Sequence, residues 1–250
     1  LLNCARSTPS LRSIVIVTSD KVYDNQDWPW PYREIDALGG ADPYSASKAA
    51  AEIVANAMAL SFFHTADAPA IATARAGNVI GGGDWAAHRL LPDAARALAA
   101  GRPLLVRNPR SSRPWQHVLE PLWGYLTLAE ALATGAVRRD GASVWNFGPE
   151  PNDAIPVQDV ADMVVETWGA DASWIADRPG EPHPKEAVRL SVDASRAQNE
   201  LGWRPRWRVP DAVARTVAWY RDHKRGDDPT ALVDRDIDAY FADPPANSRP

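Results

Sequence analysis

Two short apolar runs, Ser13-Ile14-Val15-Ile16-Val17-Thr18 and Ala70-Ile71-Ala72-Thr73-Ala74-Arg75, constrain this chain more than any other feature. Neither alternates apolar with polar residues, so each reads as a strand buried on both faces, as in a parallel sheet. Parallel neighbours need a crossover, and the residues between them supply one. Asp42 can cap a helix, Pro43 suits its first turn, and the alanine-rich stretch carries it to about Phe63. Strand, helix, strand is a βαβ unit, which places the chain among the α/β folds.

The composition narrows the classes open to such a fold. Apolar residues make up 45% and charged residues 24% of the 250, ordinary values for a soluble globular protein. A net charge of −5 argues against nucleic-acid binding, and no apolar run is long enough to span a membrane. The opening LLNCARSTPSLRS lacks the pattern of a secretory signal, and a lone Cys4 excludes a disulfide framework. A cytoplasmic location fits these features.

Beyond the βαβ unit, helices are expected near 90–100, 120–133, 156–168, 194–201, 210–223 and 229–241, with strands near 104–106, 115–118 and 144–147. The loop from Ser19 to Gly40 is long and broken by prolines and glycines. Of the 11 tryptophans most are expected in the core, with Trp28, Trp30, Trp85 and Trp115 the candidates for lining a cleft.

Chemistry concentrates in Tyr44-Ser45-Ala46-Ser47-Lys48. Positions four apart share a helix face, so the ammonium sits beside the phenol and favours its ionised, basic form. Alone such a pair is common surface decoration. Here Thr18-Ser19-Asp20-Lys21 precedes it at the carboxyl end of a buried strand, where open α/β sheets bind ligands. A serine there can hold the hydroxyl that the tyrosine deprotonates. Together these pieces match the active-site signature of the short-chain dehydrogenase/reductase superfamily.

The flanking residues narrow the match. TSDKVYDN (18–25), DPYSASKAAAE (42–52), RAGNVIGGGDW (75–85), RPWQHVLEP (113–121), WNFGP (145–149), DASW (171–174) and LGWRPRW (201–207) resemble the corresponding blocks of the CDP-glucose 4,6-dehydratases. The resemblance implies a Rossmann-type doubly wound parallel sheet with a smaller mixed α/β substrate-binding lobe. It implies NAD as cofactor, held in part by Tyr44, Lys48 and Ala76, and a nucleotide sugar, CDP-glucose, as substrate. Tyr44, with Lys48 and Ser19, would take the proton of the sugar 4-hydroxyl as hydride leaves C4. Asp20 as acid and Lys21 as base would then remove water across C5 and C6, and the hydride returns to C6. Burial would favour the neutral form of both. The product, CDP-4-dehydro-6-deoxyglucose, belongs to deoxysugar biosynthesis of the lipopolysaccharide kind. Related dTDP-glucose enzymes carry Asp-Glu where this chain has Asp20-Lys21.

For substrate binding the resemblance points to Asn78, Arg107, Arg113, His183 and Glu186, with Arg113 suited to bidentate pairing with the diphosphate. Arg107 is equally consistent with a surface charge. His117 reads as structural. The run Gly81-Gly82-Gly83 lacks dinucleotide-fingerprint spacing and reads as a tight turn allowing close approach of substrate. No metal site is expected, for want of a third ligand at suitable spacing.

The strand, glycine-rich turn and helix that receive the pyrophosphate of NAD are not in the sequence before Ser13, so roughly a hundred residues of the family pattern are expected to be missing. The chain is thus expected to hold the carboxyl part of the NAD-binding domain (1–82 and 114–148) and the substrate lobe (83–113 and 149–250), inactive by itself and a homodimer or homotetramer when full length. Alternatives are another nucleotide-sugar dehydratase, an epimerase or a non-enzymatic remnant. An epimerase has no use for an acid–base pair at Asp20-Lys21.

Overall fold

The computed structural model describes residues 1–65, 67–137, 141–150, 153–169, 171–177 and 187–244. Contacts gather the chain into two compact units: 1–77, 121–148 and 191–204 in the first; 78–120, 149–190 and 205–250 in the second.

The first unit opens with a short helix, α1 (Leu2–Ala5), and is built on a three-stranded parallel sheet of β1 (Ser13–Val17), β2 (Ala70–Ala76) and β6 (Ser143–Phe147), in the order β1-β2-β6. Ile14 pairs with Ile71 and Val17 with Ala74; across the other edge Ala74 pairs with Trp145. Side chains alternate between the two faces of a strand. One face, Ile14, Ile16 and Ile71, packs on Ala59 of α2 (Pro43–Phe62). The opposite face, Val15 with Ala70, Ala72 and Ala74, packs on Leu128 and Leu132 of α4 (Leu119–Thr134) and Ala197 of α6 (Ser195–Glu200). Helices on both faces make this the expected doubly wound arrangement. β2, in the middle, is buried throughout; β1, at the sheet edge, is only half-buried, less than its sequence suggests.

Asp42 caps α2 as its sequence predicts: its Oδ1 accepts from the Ser45 amide at 3.0 Å and its Oδ2 from the Ser45 hydroxyl at 2.6 Å. The preceding Gly40 has φ +138, and a Cβ there would stand 2.5 Å from the Ala46 nitrogen. Only glycine lets the loop close so tightly on the helix start.

The second unit has a sheet ordered β3 (Asn78–Ile80), β5 (Ser112–His117), β7 (Ala154–Pro156), and a pair of β4 (Leu104–Val106) with β8 (Trp174–Ala176). Its helices α3 (Leu90–Ala99), α5 (Val157–Trp168), α7 (Val209–Arg225) and α8 (Pro229–Ala242) bury Leu91, Leu98, Val160, Val164, Val213, Val217 and Leu232 against Leu104, Val106 and Trp115. Trp115 is thus a core residue and not a cleft residue: the strand pleat turns its indole into the helices. β3, β7 and β8 have three residues each, too few to leave a periodic trace in the sequence.

The glycine run also has a different role from the one expected. A Cβ on Gly82 would lie 2.1 Å from Cγ of Trp219, and one on Gly81 would lie 2.8 Å from Cγ1 of Val118. The close approach at Gly81 and Gly82 is made by the protein's own α7 and β5–α4 junction. His117 is buried edge-on to Trp207, and burial pulls its pKa down to about 3, with the Arg215 charge adding to the effect. Among the described residues no helix is long and apolar enough to cross a membrane.

Candidate active site

In the first unit β1 runs into a single 3-10 turn at Asp20–Val22, which Ser19 caps. The Ser19 hydroxyl accepts from the Lys21 amide at 3.2 Å and donates to Asp20 Oδ1 at 3.2 Å. Ser19 and Asp20 are buried, whereas Lys21 points to solvent. The expectation of burial thus fails for Lys21, which is exposed in the same 3-10 turn that buries Asp20 and Val22. The Lys21 charge nevertheless reaches the start of α2. It helps hold the Asp42 carboxyl below the usual range, a shift set first by the Ser45 hydroxyl and amide.

α2 packs on this turn and brings Tyr44 and Lys48 to it. Tyr44 is 50% exposed, so its phenol is open to a ligand. The Lys48 ammonium stands 5.9 Å from the centre of the Tyr44 ring and donates to the Val17 carbonyl oxygen at 3.4 Å. Ala76 closes β2, buried beside Phe147. On the far side of the turn, burial raises the Tyr125 phenol well above its ordinary pKa, and the Asp20 charge raises it further. One loop end and one helix thus gather Ser19, Asp20, Lys21, Tyr44 and Lys48.

The residues expected to bind substrate lie in the second unit or beyond the described residues. Asn78 on β3 pairs in register with Trp115 on β5, two residues beyond Arg113, so Asn78 and Arg113 occupy neighbouring strands. Arg113 is buried and donates to the Ser112 carbonyl at 2.8 Å. Arg107 donates to the His88 carbonyl at 2.9 Å. His183 and Glu186 fall outside the described residues. Among the described residues no group of three or more His, Cys, Asp and Glu could hold a metal ion. Trp28 stacks on Tyr32 and meets Trp30 edge-on; Trp85 packs edge-on to Tyr220 in the second unit.

Sequence reasoning passed over a buried polar group behind the site: Thr18, Tyr23, Glu52, Arg75 and Asn146. Two signals were available. Glu52 follows Lys48 at the same four-residue spacing that separates Lys48 from Tyr44, and Arg75 places a charge at the end of an apolar strand.

A sheet wound on both faces, with this turn after one strand and a Tyr-x-x-x-Lys pair on the next helix, defines a Rossmann-type protein of the short-chain dehydrogenase/reductase class. A family model described as GDP-mannose 4,6 dehydratase matches residues 1–216, and the chain belongs to that family. It is 46% identical over 247 residues to a CDP-glucose 4,6-dehydratase of Salmonella typhimurium, covering 97% of this chain and 67% of that protein. A dTDP-glucose 4,6-dehydratase of Actinoplanes is 30% identical, over 83% of this chain and 60% of the relative. Among solved structures, a dTDP-glucose 4,6-dehydratase of Streptomyces venezuelae with NAD bound superposes with TM-score 0.68 at 27% identity, covering 92% of this chain and 66% of that one. The chain therefore spans 60–67% of the length of these three relatives.

Proposed function

We propose that the protein is a lyase acting on CDP-glucose, removing water to give CDP-4-dehydro-6-deoxyglucose with NAD as internal hydride carrier. The observation that carries this reading is the grouping of Tyr44 and Lys48 with Ser19, Asp20 and Lys21 at the end of β1. The 46% identity to a CDP-glucose 4,6-dehydratase supports the choice of substrate.

Tyr44, half-exposed with a cation beside it, is suited to accept the proton of the sugar 4-hydroxyl. The Ser19 hydroxyl is suited to hold that oxygen, and the Lys48 ammonium stabilises negative charge on the phenol. Asp20 donates a proton to the departing C6 hydroxyl, and Lys21 removes the C5 proton that a 4-ketone makes acidic. The donor set fits the reactive end of NAD, which Tyr44, Lys48 and Ala76 would hold. When bound, NAD would supply the acceptor for the C4 hydride and the source of the hydride delivered to C6. The described residues contain no glycine-rich strand–turn–helix for its pyrophosphate.

Arg113, with Arg107 as its partner, is proposed to bind the diphosphate and Asn78 the phosphates or sugar, with His183 and Glu186 bordering the sugar or base. The exposed apolar residues Ile53 and Val54 on α2 and Leu122 and Leu126 on α4 support pairing of two copies into a homodimer. A cytoplasmic place is consistent with the lone Cys4.

The 250 residues by themselves are expected to be inactive, so the test is incubation of the full-length protein with CDP-glucose and NAD, with the sugar product identified by NMR. A 4-keto-6-deoxy sugar that is lost with Tyr44→Phe is expected. A sugar merely inverted at C4, or turnover indifferent to Tyr44→Phe, sinks the proposal.

A further inference from the structure

The Glu52 carboxylate is buried in α2 and enclosed by groups of the first unit. Arg75 Nε donates to both of its oxygens, at 2.9 and 3.1 Å, and Arg75 Nη2 closes the second arm of the fork on Oε2. The Thr18 hydroxyl donates to Oε1 at 2.5 Å. The two charged side chains keep only 2% and 3% of their exposure. Desolvation offsets most of the attraction in such a pair, so stability is a poor explanation for it.

Its placement is more informative. Glu52 lies one turn beyond Lys48 on α2, and the two touch consecutive residues at the end of β1. Lys48 donates to the Val17 carbonyl, and Glu52 accepts from the Thr18 side chain. Ser19 comes next. Arg75 is itself fixed: its guanidinium carbon lies 4.6 Å over the Tyr23 ring, and Nη1 donates to the Glu34 carbonyl at 3.4 Å. Tyr23 in turn donates to Asn146 Oδ1 at 2.7 Å. Without Arg75, the buried carboxylate would have the Lys48 ammonium one turn away as its available cation, and that ammonium would leave Tyr44.

We propose that Glu52 and Arg75 are positioning residues for the catalytic helix: Arg75 holds Glu52 on Thr18 and away from Lys48, leaving the ammonium to Tyr44. The inference rests on the roles given to Tyr44 and Lys48 under the proposed function, but its test does not require turnover. The protein is labelled with 3-fluorotyrosine, and the Tyr44 fluorine resonance is identified by its loss in Tyr44→Phe. Arg75→Met is expected to shift that resonance. Adding Glu52→Gln is expected to restore it, because a neutral amide does not compete for Lys48. Arg75→Lys keeps the charge without the fork and shifts it partway.

An unmoved resonance in folded Arg75→Met, or a shift that persists in the double variant, overturns the proposal. If Arg75→Met does not fold, Arg75→Lys and the double variant carry the same test. In turnover by the full-length protein, Arg75→Met lowers kcat about tenfold with KM within about twofold, and the double variant recovers most of the loss. Equal loss in both variants counts against it. A fluorine shift alongside unimpaired turnover by Tyr44→Phe leaves the positioning intact and removes the assigned role of Tyr44, so the two failures are distinguishable.

Discussion

The Lys48 ammonium donates to the Val17 carbonyl oxygen at 3.4 Å, tying the helix that carries Tyr44 to the strand that delivers Ser19. One side chain therefore supplies both charge and alignment. Lys48→Ala and Tyr44→Phe are each expected to lower kcat by between about a hundredfold and ten-thousandfold, the range for loss of a positioned proton-transfer group. Tyr44 is half-exposed, so Tyr44→Phe leaves the thermal midpoint nearly unchanged. Steady-state turnover beside thermal unfolding checks this, and a Tyr44→Phe protein that is inactive only because it melts early contradicts it.

Lys21 offers a cleaner separation of steps. Its side chain is exposed beside the start of α2, so Lys21→Ala costs little stability. The proposed base for C5 is then missing while the oxidation machinery is intact. Rapid mixing of the full-length, NAD-loaded Lys21→Ala protein with CDP-glucose should show the near-ultraviolet absorbance of reduced cofactor rising and persisting, with little product. Normal product formation in Lys21→Ala removes the residue from the elimination step.

The parallel unit was legible because two non-alternating apolar runs bracket a capped, alanine-rich helix, and the Asp42 cap forms as its spacing predicts. The grouping of Ser19 with Tyr44 and Lys48 was legible for the same reason, since βαβ geometry carries the helix start back to the strand end. What was not legible depends on distant contacts. Gly82 is explained by Trp219, 137 positions later, and Trp115 by helices on both sides of it in sequence. Lys21 was expected to be buried together with Asp20 as the second half of an acid–base pair, and in the 3-10 turn Asp20 is buried while Lys21 is exposed.

Gly82 gives a stability prediction. A methyl group there would meet the Trp219 indole at 2.1 Å, so Gly82→Ala must displace a buried aromatic ring. Overpacking of this kind costs about 1–3 kcal/mol. Trp219→Leu, which clears space, should absorb part of the Gly82→Ala penalty in a double-mutant cycle. Urea unfolding of the two single variants and the double variant measures the coupling, and simple additivity would mean that the ring is not the obstacle.

The second unit contains a buried acid whose titration should show in stability. Glu120 accepts from the Trp207 amide at 2.8 Å, the Arg206 amide at 3.1 Å and the Tyr240 hydroxyl at 2.7 Å. Burial nevertheless dominates and pushes its pKa up to about 7 from 4.5. Between these values the folded protein binds the extra proton, so this contribution is complete below about pH 4.5 and is lost as pH rises through about 7. The total is on the order of 3 kcal/mol. His117 acts in the opposite sense, since its folded pKa of about 3 lies below the ordinary 6.5 and stability is lost as pH falls below that value. The two slopes oppose each other in mildly acid solution, so wild-type stability alone will look flat there. Comparison with Glu120→Gln separates them: Gln keeps a carbonyl for the two amides and an NH2 for the Tyr240 oxygen, and does not titrate. Its stability relative to wild type is expected to rise steadily from about pH 4.5 to about pH 7 and then level off. A difference between the two proteins that does not change across that range would mean that Glu120 keeps its charge when buried, held by the Trp207 and Arg206 amides more strongly than its loss of water opposes it.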